Sequence, residues 1–367
     1  MNKRNVGIDA LRALSMYMIV SLHVMGAGGV LDSVKLLSGG YFVVWTWETI
    51  MYCAVNCYAI ISGFVCYGRE SKWRNVINLW VQTFFYSAGI TAVLFLTGKL
   101  DGESLREIFK AFLPMSTNRY WYFSSYVGMF AFIPCLNKLV ESMEKDKLRK
   151  ALITIVCVLG LPTTIFYSDP FVLNYGCSVL WLMIMYLVGA YFKKYDNNKT
   201  SQKTYAVGFL LATLSTSILK YTIVFVASKV GISLPGSFLD TNVTPTIVVA
   251  AICLFCLFKN LNISSEKIAK IIIYVGSLSY GIFLVHFHPY IVSLYLRNAF
   301  SFIGEKSMLL IIPLIVLSAL GVYAVSGVVE AIRKTLFKLL KIDTIGAKVE
   351  KICFCAYAGI CEKIKNK

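Results

Sequence analysis

The sequence predicts an all-α integral membrane protein, a polytopic bundle of about ten transmembrane helices. Of its 367 residues, 57% are hydrophobic and 15% are charged, whereas soluble domains carry about 25% charged residues. The mean hydropathy is +0.69. Apolar stretches that approach the ~20 residues of a membrane-crossing helix recur along nearly the whole chain. This composition excludes an ordinary soluble enzyme, a disordered chain and a disulfide-stapled secreted domain.

Ten segments are predicted to cross the bilayer. Helices are the expected form, because a helix satisfies its own backbone hydrogen bonds in lipid. In chain order, the predicted spans are residues 7–26, 42–66, 76–97, 120–137, 151–167, 178–192, 205–228, 242–258, 271–292 and 308–329. The sixth of these is short for a full span.

The distribution of positive charge predicts that both termini are cytoplasmic. With the N-terminus inside, 26 of the 36 Lys and Arg residues fall in inner segments and 8 in outer loops. Short cytoplasmic loops of membrane proteins collect such residues. The formal net charge of +17 is therefore attributed to topology, and we expect no nucleic-acid partner.

Two regions are predicted. Residues 1–332 form the transmembrane domain, and residues 333–367 form a basic cytoplasmic tail. We expect the tail to lie along the inner leaflet, because anionic lipids attract Lys and Arg. A solvated tail is the alternative.

The first span carries three ionisable residues, Asp9, Arg12 and His23. Charged or titratable groups are costly inside a membrane, so these three are candidate functional residues. Asp9 and Arg12 are three residues apart and can pair on one helix face. Arg12 and His23 are eleven residues apart, close to three turns, so they point the same way about 16 Å apart along the axis. The alternatives are an interfacial anchor for Asp9 and Arg12 and a solvated histidine at the outer surface.

Five segments spread over most of the chain form a recognisable pattern. They are Asp9-x-Leu11-Arg12 followed by His23, the run from Ala54 to Ser62-Gly63-Phe64, Tyr120-Trp121-Tyr122 with Tyr126, Pro134 and Asn137, Trp181 through Tyr191, and Gly276-Ser277 through His286. In this order, these segments resemble the membrane-bound acyltransferase family 3. The resemblance implies transfer of an acyl group, expected to be acetyl, from cytoplasmic acetyl-CoA to a hydroxyl of a surface or lipid-linked polysaccharide such as a capsule. It also implies a multi-pass protein of the bacterial plasma (inner) membrane. The expected partners are the glycan acceptor and membrane lipids, and a homo-oligomer is compatible with the sequence.

The residues of the first span suit this chemistry. A hydroxyl is a poor nucleophile at neutral pH and needs a base, for which histidine is the usual residue. We expect His23 either to deprotonate the acceptor or to carry the acyl group itself. Asp9 lies about 21 Å from His23 along the helix, so a partner for the imidazole must come from another helix. The candidate partners are Asn56, Ser62, Ser125 and His286.

Arg12 is better suited to the phosphate end of CoA, because a guanidinium binds phosphate oxygens in pairs. Arg69, Lys72 and Arg74, in the next inner loop, are expected to add to this site. The family's Arg-x-x-Arg pattern is Arg69-x-x-Lys72 here, and the inner location alone would also explain these charges. The sequence shows no metal-type ligand cluster, so we expect no metal.

The predicted substrate-binding residues are Glu48, Asn56, Ser62, Trp121, Tyr122 and His286. Trp and Tyr near a membrane surface are also typical interfacial anchors, which is the alternative for the aromatic residues here. His288 is expected to be an interfacial residue. The alternative function is a transporter or flippase of lipid-linked saccharides, although the internal repeats typical of transporters are not detected.

Overall fold

A computed structural model of the protein describes residues 4–100, 103–195, 200–353 and 355. Over this part of the chain every regular element is a helix, which confirms the predicted fold class. Lys3, residues 196–199 of an inner loop and the tail from residue 356 onward were part of the charge and tail predictions and lie outside the described residues.

Eleven helices form the body of the described chain, joined by shorter helical turns. They are α1 Val6–Met25, α2 Gly39–Met51, α3 Ala54–Cys66, α4 Trp73–Leu96, α5 Trp121–Ser142, α6 Lys145–Phe166, α7 Val179–Tyr195, α8 Gln202–Lys229, α9 Pro245–Lys259, α10 Glu266–His286 and α11 Met308–Leu339. Each of the ten predicted spans coincides with a helix, the second with α2 and α3 together, which meet at Tyr52 and Cys53.

Eight spans within the described residues are long and apolar enough to cross a membrane. The predicted spans 178–192 and 242–258 correspond to α7 and α9, which have 17 and 15 residues. Both helices are short of the ~20 residues that a lipid-facing span needs. They are also among the most buried helices, with nearly every residue of α7 from Trp181 to Ala190 inside the bundle. Protein therefore surrounds them where a longer helix would face lipid.

Helix α1 lies at the centre of the bundle, in contact with α2, α3, α9, α10 and α11. The side chain of Asn5 accepts a hydrogen bond from the Ile8 N–H and so caps its start. Leu11 and Val20 are fully buried, and Asp9 is only 2% exposed. The polar residues of the first span thus belong to a helix that has protein on most of its sides.

Glycines allow α3 and α7 to cross closely. A Cβ on Gly63 would lie 1.9 Å from the Tyr186 carbonyl oxygen, and a Cβ on Gly189 would lie 1.9 Å from that of Ile60. Each glycine therefore faces the backbone of the other helix, as is typical of small residues at membrane helix contacts. This crossing holds α7, and α5 packed on it, beside α3.

The boundary predicted at residues 332 and 333 falls inside α11, which continues to Leu339. The described part of the tail then folds back onto the start of α4. The Gly346 N–H donates to Asn78 Oδ1 over 3.0 Å, and the Arg74 N–H donates to Glu350 Oε1 over 3.1 Å.

Candidate active site

A cavity of about 380 Å³ extends along α1 between Arg12 and His23. Five helices line it, namely α1, α3, α4, α5 and α10. The α1 residues that line it are Arg12, Met16, Ile19, Leu22 and His23. Their spacing of three or four residues marks one face of a helix, so Arg12 and His23 share the face that the sequence predicted.

His23 forms a pair with His286 from α10. His23 Nδ1 lies 2.9 Å from His286 Nε2, and His286 Nδ1 lies 2.6 Å from the Ile282 carbonyl oxygen. A carbonyl only accepts, so the proton of neutral His286 is assigned to Nδ1 and its Nε2 must accept from His23 Nδ1–H. His23 is left with a lone pair on Nε2, the arrangement that a general base requires. Of the four candidate partners, His286 is the residue in contact with His23.

The imidazole of His23 is also held by an aromatic ring. Its ring stacks on Phe287, with centroids 4.4 Å apart and an interplanar angle of 19°. Phe287 stacks in turn on Phe283, at 5.3 Å, and Phe283 lines the cavity. His23 is thus fixed on one side by a hydrogen bond and on another by a stacked ring, and it remains half-buried at the cavity wall.

At the other end of the cavity, Asp9 binds two arginines. Its carboxylate accepts from Arg4 Nε over 2.6 Å and Arg4 Nη2 over 2.8 Å, and from Arg12 Nη1 over 2.9 Å. The sequence predicted the Asp9–Arg12 pair but not Arg4. Asp9 is far from His23, so its contacts orient the two guanidinium groups.

A second cavity, of about 440 Å³, adjoins the first at Arg12. Four cationic side chains line it, and we call them the basic vestibule: Arg4, Arg12, Arg69 and Lys193. Asp9 is the carboxylate among its lining residues. Four cations against one carboxylate give this cavity a positive potential, which favours anions.

The predicted phosphate ligands are divided by the structure. Arg69 lines the basic vestibule, whereas Lys72 pairs with Glu70 over 3.6 Å at the surface. Arg74 begins α4 beside the tail. The structure therefore brings Arg12 and Arg69 together and leaves Lys72 and Arg74 outside the lining.

Sequence reasoning missed Arg4 and Lys193. Arg4 is five residues before Asp9, and Lys193 is four residues after Gly189. The only signal in the sequence was proximity, because Arg4 is near the candidate residue Asp9 and Lys193 is near the close helix crossing at Gly189. Lys and Arg are common in cytoplasmic segments for reasons of topology, so the sequence alone could not distinguish Arg4 and Lys193 from other basic residues.

Of the predicted substrate-binding residues, Ser62, Trp121 and Tyr122 line the same cavity as His23. Asn56 is not among the residues that line this cavity, and its side chain links α3 to neighbouring segments. Its amide donates to the Asn242 carbonyl over 2.8 Å and accepts from Trp181 Nε1 over 2.9 Å.

Glu48 belongs to a separate buried cluster between α2, α8 and the segment before α9. It is 6% exposed and lies near the ion pair of Lys220 with Asp240. Thr49 donates to Asp240 Oδ1 over 2.8 Å, and Lys220 Nζ lies 3.6 Å above the Trp45 ring. Glu48 is thus not among the residues that line the cavity.

The prediction of an interfacial His288 was wrong, since this residue is fully buried. Its Nε2 lies 3.3 Å from the Ser87 carbonyl oxygen, and its Nδ1 accepts from the Tyr290 N–H over 3.3 Å. Burial and the nearby Arg119 lower the pKa of His288 to about 3. It therefore packs as a neutral side chain, where the turn after α10 folds onto α4.

Comparison with known families gives one match. A family model described as an acyltransferase domain matches residues 5–327. This range includes His23, His286, both cavities apart from Arg4, and most of α11. No curated protein matches the chain, and no solved structure does.

Proposed function

The chain belongs to the membrane-bound acyltransferase family 3, and from that membership we propose that it transfers an acetyl group from cytoplasmic acetyl-CoA to a hydroxyl of a surface or lipid-linked polysaccharide. One observation carries the proposal. A single cavity extends from Arg12, in the basic vestibule, to His23, which is paired with His286.

The basic vestibule suits the phosphates of CoA. Arg4 and Arg12 are held by Asp9, and Arg69 and Lys193 complete a cationic lining. With the phosphates there, the thioester arm extends along the α1 face toward His23. Arg12 lines both cavities, so it is placed at the junction of the phosphates and the arm.

In direct transfer, His23 acts as the general base. The acceptor hydroxyl gives its proton to His23 Nε2 as its oxygen attacks the thioester carbonyl carbon. A C–O bond forms, the C–S bond breaks, and the Nε2 proton passes to the departing thiolate, giving an acetyl ester and free CoA. His286 accepts from His23 Nδ1–H throughout, so it stabilises the imidazolium that forms between these steps.

The same nitrogen allows transfer in two steps. His23 Nε2 would first attack the thioester carbonyl carbon, so that a C–N bond forms, the C–S bond breaks and CoA leaves as the thiolate. The acceptor oxygen would then attack the acetyl carbon as the C–N bond breaks, and the hydroxyl proton would pass to the freed Nε2 and from there to the thiolate. Labelled acetyl-CoA without acceptor separates the two routes. Label retained on the wild-type protein and absent from His23→Ala indicates the two-step route, and no retained label indicates direct attack.

The acceptor is placed at the His23 end of the cavity. Trp121 begins α5 there and offers its ring face to a sugar. We place the vestibule on the cytoplasmic side and this end toward the outside, because cytoplasmic segments of membrane proteins collect Lys and Arg. The protein would then act in the bacterial plasma membrane, with donor and glycan on opposite faces.

The test uses membrane vesicles with acetyl-labelled acetyl-CoA on the vestibule side and host glycan present. Wild-type vesicles should move label into glycan, and His23→Ala vesicles should not, at equal amounts of inserted protein. His288→Asn is the matched control, because it changes a histidine outside the cavity. Glycan export that persists in His23→Ala, with no acetyl product from the wild type, would instead favour a saccharide transporter.

A further inference from the structure

Two tyrosines of α5 stand side by side on the wall of the cavity. Tyr122 and Tyr126 are four residues apart and both line it. Their rings are stacked, with centroids 6.5 Å apart and an interplanar angle of 20°. Arg12 and His23 line the same cavity.

The pair is oriented along the path of the donor. The Tyr122 ring lies 6.4 Å from Phe283, whose ring lies 6.3 Å from His286. Tyr126 lies on the other side, 6.3 Å from Phe130. Tyr122 is therefore nearer the histidine pair, and Tyr126 is one turn closer to the basic vestibule.

The hydroxyls of this pair differ from those of neighbouring tyrosines. Tyr58 donates to the Arg12 carbonyl over 2.7 Å, and Tyr280 is 2.5 Å from Thr83 Oγ1. Tyr120 donates to the Leu284 carbonyl over 3.0 Å. Both side chains are half-buried, and within the described part of the chain neither the Tyr122 nor the Tyr126 hydroxyl has a hydrogen-bond partner. Both hydroxyls are therefore available to donate to a polar group in the cavity.

The spacing of the two tyrosines matches that of the two amides in a pantetheine arm. Residues one turn apart on a helix are separated by about 6 Å along its axis. The pantetheine arm of CoA carries two amides, linked by a chain one methylene longer than the 3.8 Å repeat of a peptide, which places their carbonyls about 5 Å apart. We propose that Tyr122 and Tyr126 bind the two amides of the pantetheine arm, Tyr122 the amide nearer sulfur and Tyr126 the farther one. This inference rests on the proposed CoA donor and assigns Tyr122 to the donor arm rather than to the glycan.

The test compares donors that differ in their number of amides. Acetyl-CoA and acetyl-pantetheine carry both, and S-acetyl-N-acetylcysteamine carries only the amide nearer sulfur. Tyr126→Phe should lower kcat/KM for the first two donors by about two- to twelvefold, the value of one neutral hydrogen bond, and leave the third unchanged. Tyr122→Phe should lower kcat/KM for all three donors.

Tyr280→Phe is the matched control, because its hydroxyl lines the same cavity and is already bound to Thr83. It should affect all three donors equally. An equal loss with all donors in Tyr126→Phe, or no loss with any, would overturn the proposal.

A binding measurement separates this proposal from the proposed function. Dissociation constants for CoA and pantetheine, measured on the purified protein, should rise in both Phe variants by the same factors. If the wild type transfers no acetyl group but the two variants still bind CoA and pantetheine more weakly, the proposed reaction is wrong and the proposed binding of the pantetheine arm by Tyr122 and Tyr126 is supported. If the dissociation constants for CoA and pantetheine are unchanged in both variants, the proposed role of the two tyrosines is wrong.

Discussion

The hydrogen bond from His286 to the Ile282 carbonyl determines which nitrogen of His23 is basic. Without an acceptor at His286 Nε2, His23 could carry its proton on either nitrogen and rotate about its side-chain bonds. His286 touches neither donor nor acceptor in this arrangement, so it is a positioning residue. Its contribution should therefore affect turnover rather than donor binding.

We predict that His286→Phe lowers kcat by about 10²-fold or more, the range lost when general base catalysis fails, with little change in the KM for acetyl-CoA. His286→Gln, whose side-chain oxygen can accept from His23 Nδ1–H, should recover part of the rate. Steady-state kinetics of both variants measure this. A loss confined to KM, or equal rates for Phe and Gln, would contradict the positioning role.

His288 gives a prediction about pH. Its pKa is about 3 in the folded protein and about 6.5 in an unfolded chain. Between these values the unfolded chain binds more protons, so folding stability falls as the pH drops below about 6.5. The slope from this residue is at most about 1.4 kcal/mol per pH unit.

Thermal unfolding in detergent at pH 7.5, 6.0 and 5.0 tests this contribution. The midpoint should fall with acidification in the wild type and fall less in His288→Asn, which can still accept from the Tyr290 N–H. Identical pH slopes in the two proteins would show that His288 is not responsible.

At the scale of the element, the crossing of α3 and α7 gives a prediction about glycine. Gly63→Ala and Gly189→Ala each place a methyl group against backbone that cannot move aside, and overpacking of this kind costs about 1–3 kcal/mol or more. Both variants should show a lower unfolding midpoint and a lower yield of inserted protein.

Gly321→Ala on α11 is the control, because a Cβ there has no atom within 4 Å in the described structure. It should be neutral or slightly stabilising, since alanine favours a helix by about 0.5–1 kcal/mol over glycine. Equal behaviour of Gly63→Ala and Gly321→Ala would contradict the close crossing.

The elements could largely be predicted, because apolar length alone reports a membrane helix. The break between α2 and α3 and the shortness of α9 could not, since both depend on what surrounds those residues. The shared face of Arg12 and His23 follows from helix periodicity within one element. The His23–His286 contact joins residues 263 positions apart, and four candidates were equally compatible with the sequence. The packing of α1 against α10 determines which of the four contacts His23.

At the scale of the whole molecule, positive charge has two uses that the sequence cannot separate. Arg69 and Arg74 are five residues apart and look equivalent in the sequence, yet Arg69 lines the basic vestibule and Arg74, in the first turn of α4, does not. We predict that Arg69→Gln raises the KM for acetyl-CoA a few-fold, a modest effect because this side chain is exposed. The same variant should leave acetyl-pantetheine, which lacks the nucleotide phosphates, unaffected.

Arg74→Gln is the matched control and should leave both donors unchanged. Kinetics at two salt concentrations add a second measurement. Salt screens the attraction between Arg69 and the CoA phosphates, so the difference in KM between wild type and Arg69→Gln should shrink as the salt concentration rises. Equal effects of the two variants would contradict a specific role for Arg69 in the basic vestibule.

One helix carries the residues at both ends of the proposed donor site, so α1 would fix the length of donor that the site accepts. No hinge separates Arg12 from His23, so their separation cannot adapt to a shorter or longer carrier. A thioester on a carrier with fewer bonds between phosphate and sulfur would be anchored out of reach of the imidazole. Adding one residue to α1 between them would rotate His23 by about 100°, away from the cavity and from His286. Selection among acyl carriers would then reside in the register of a single helix.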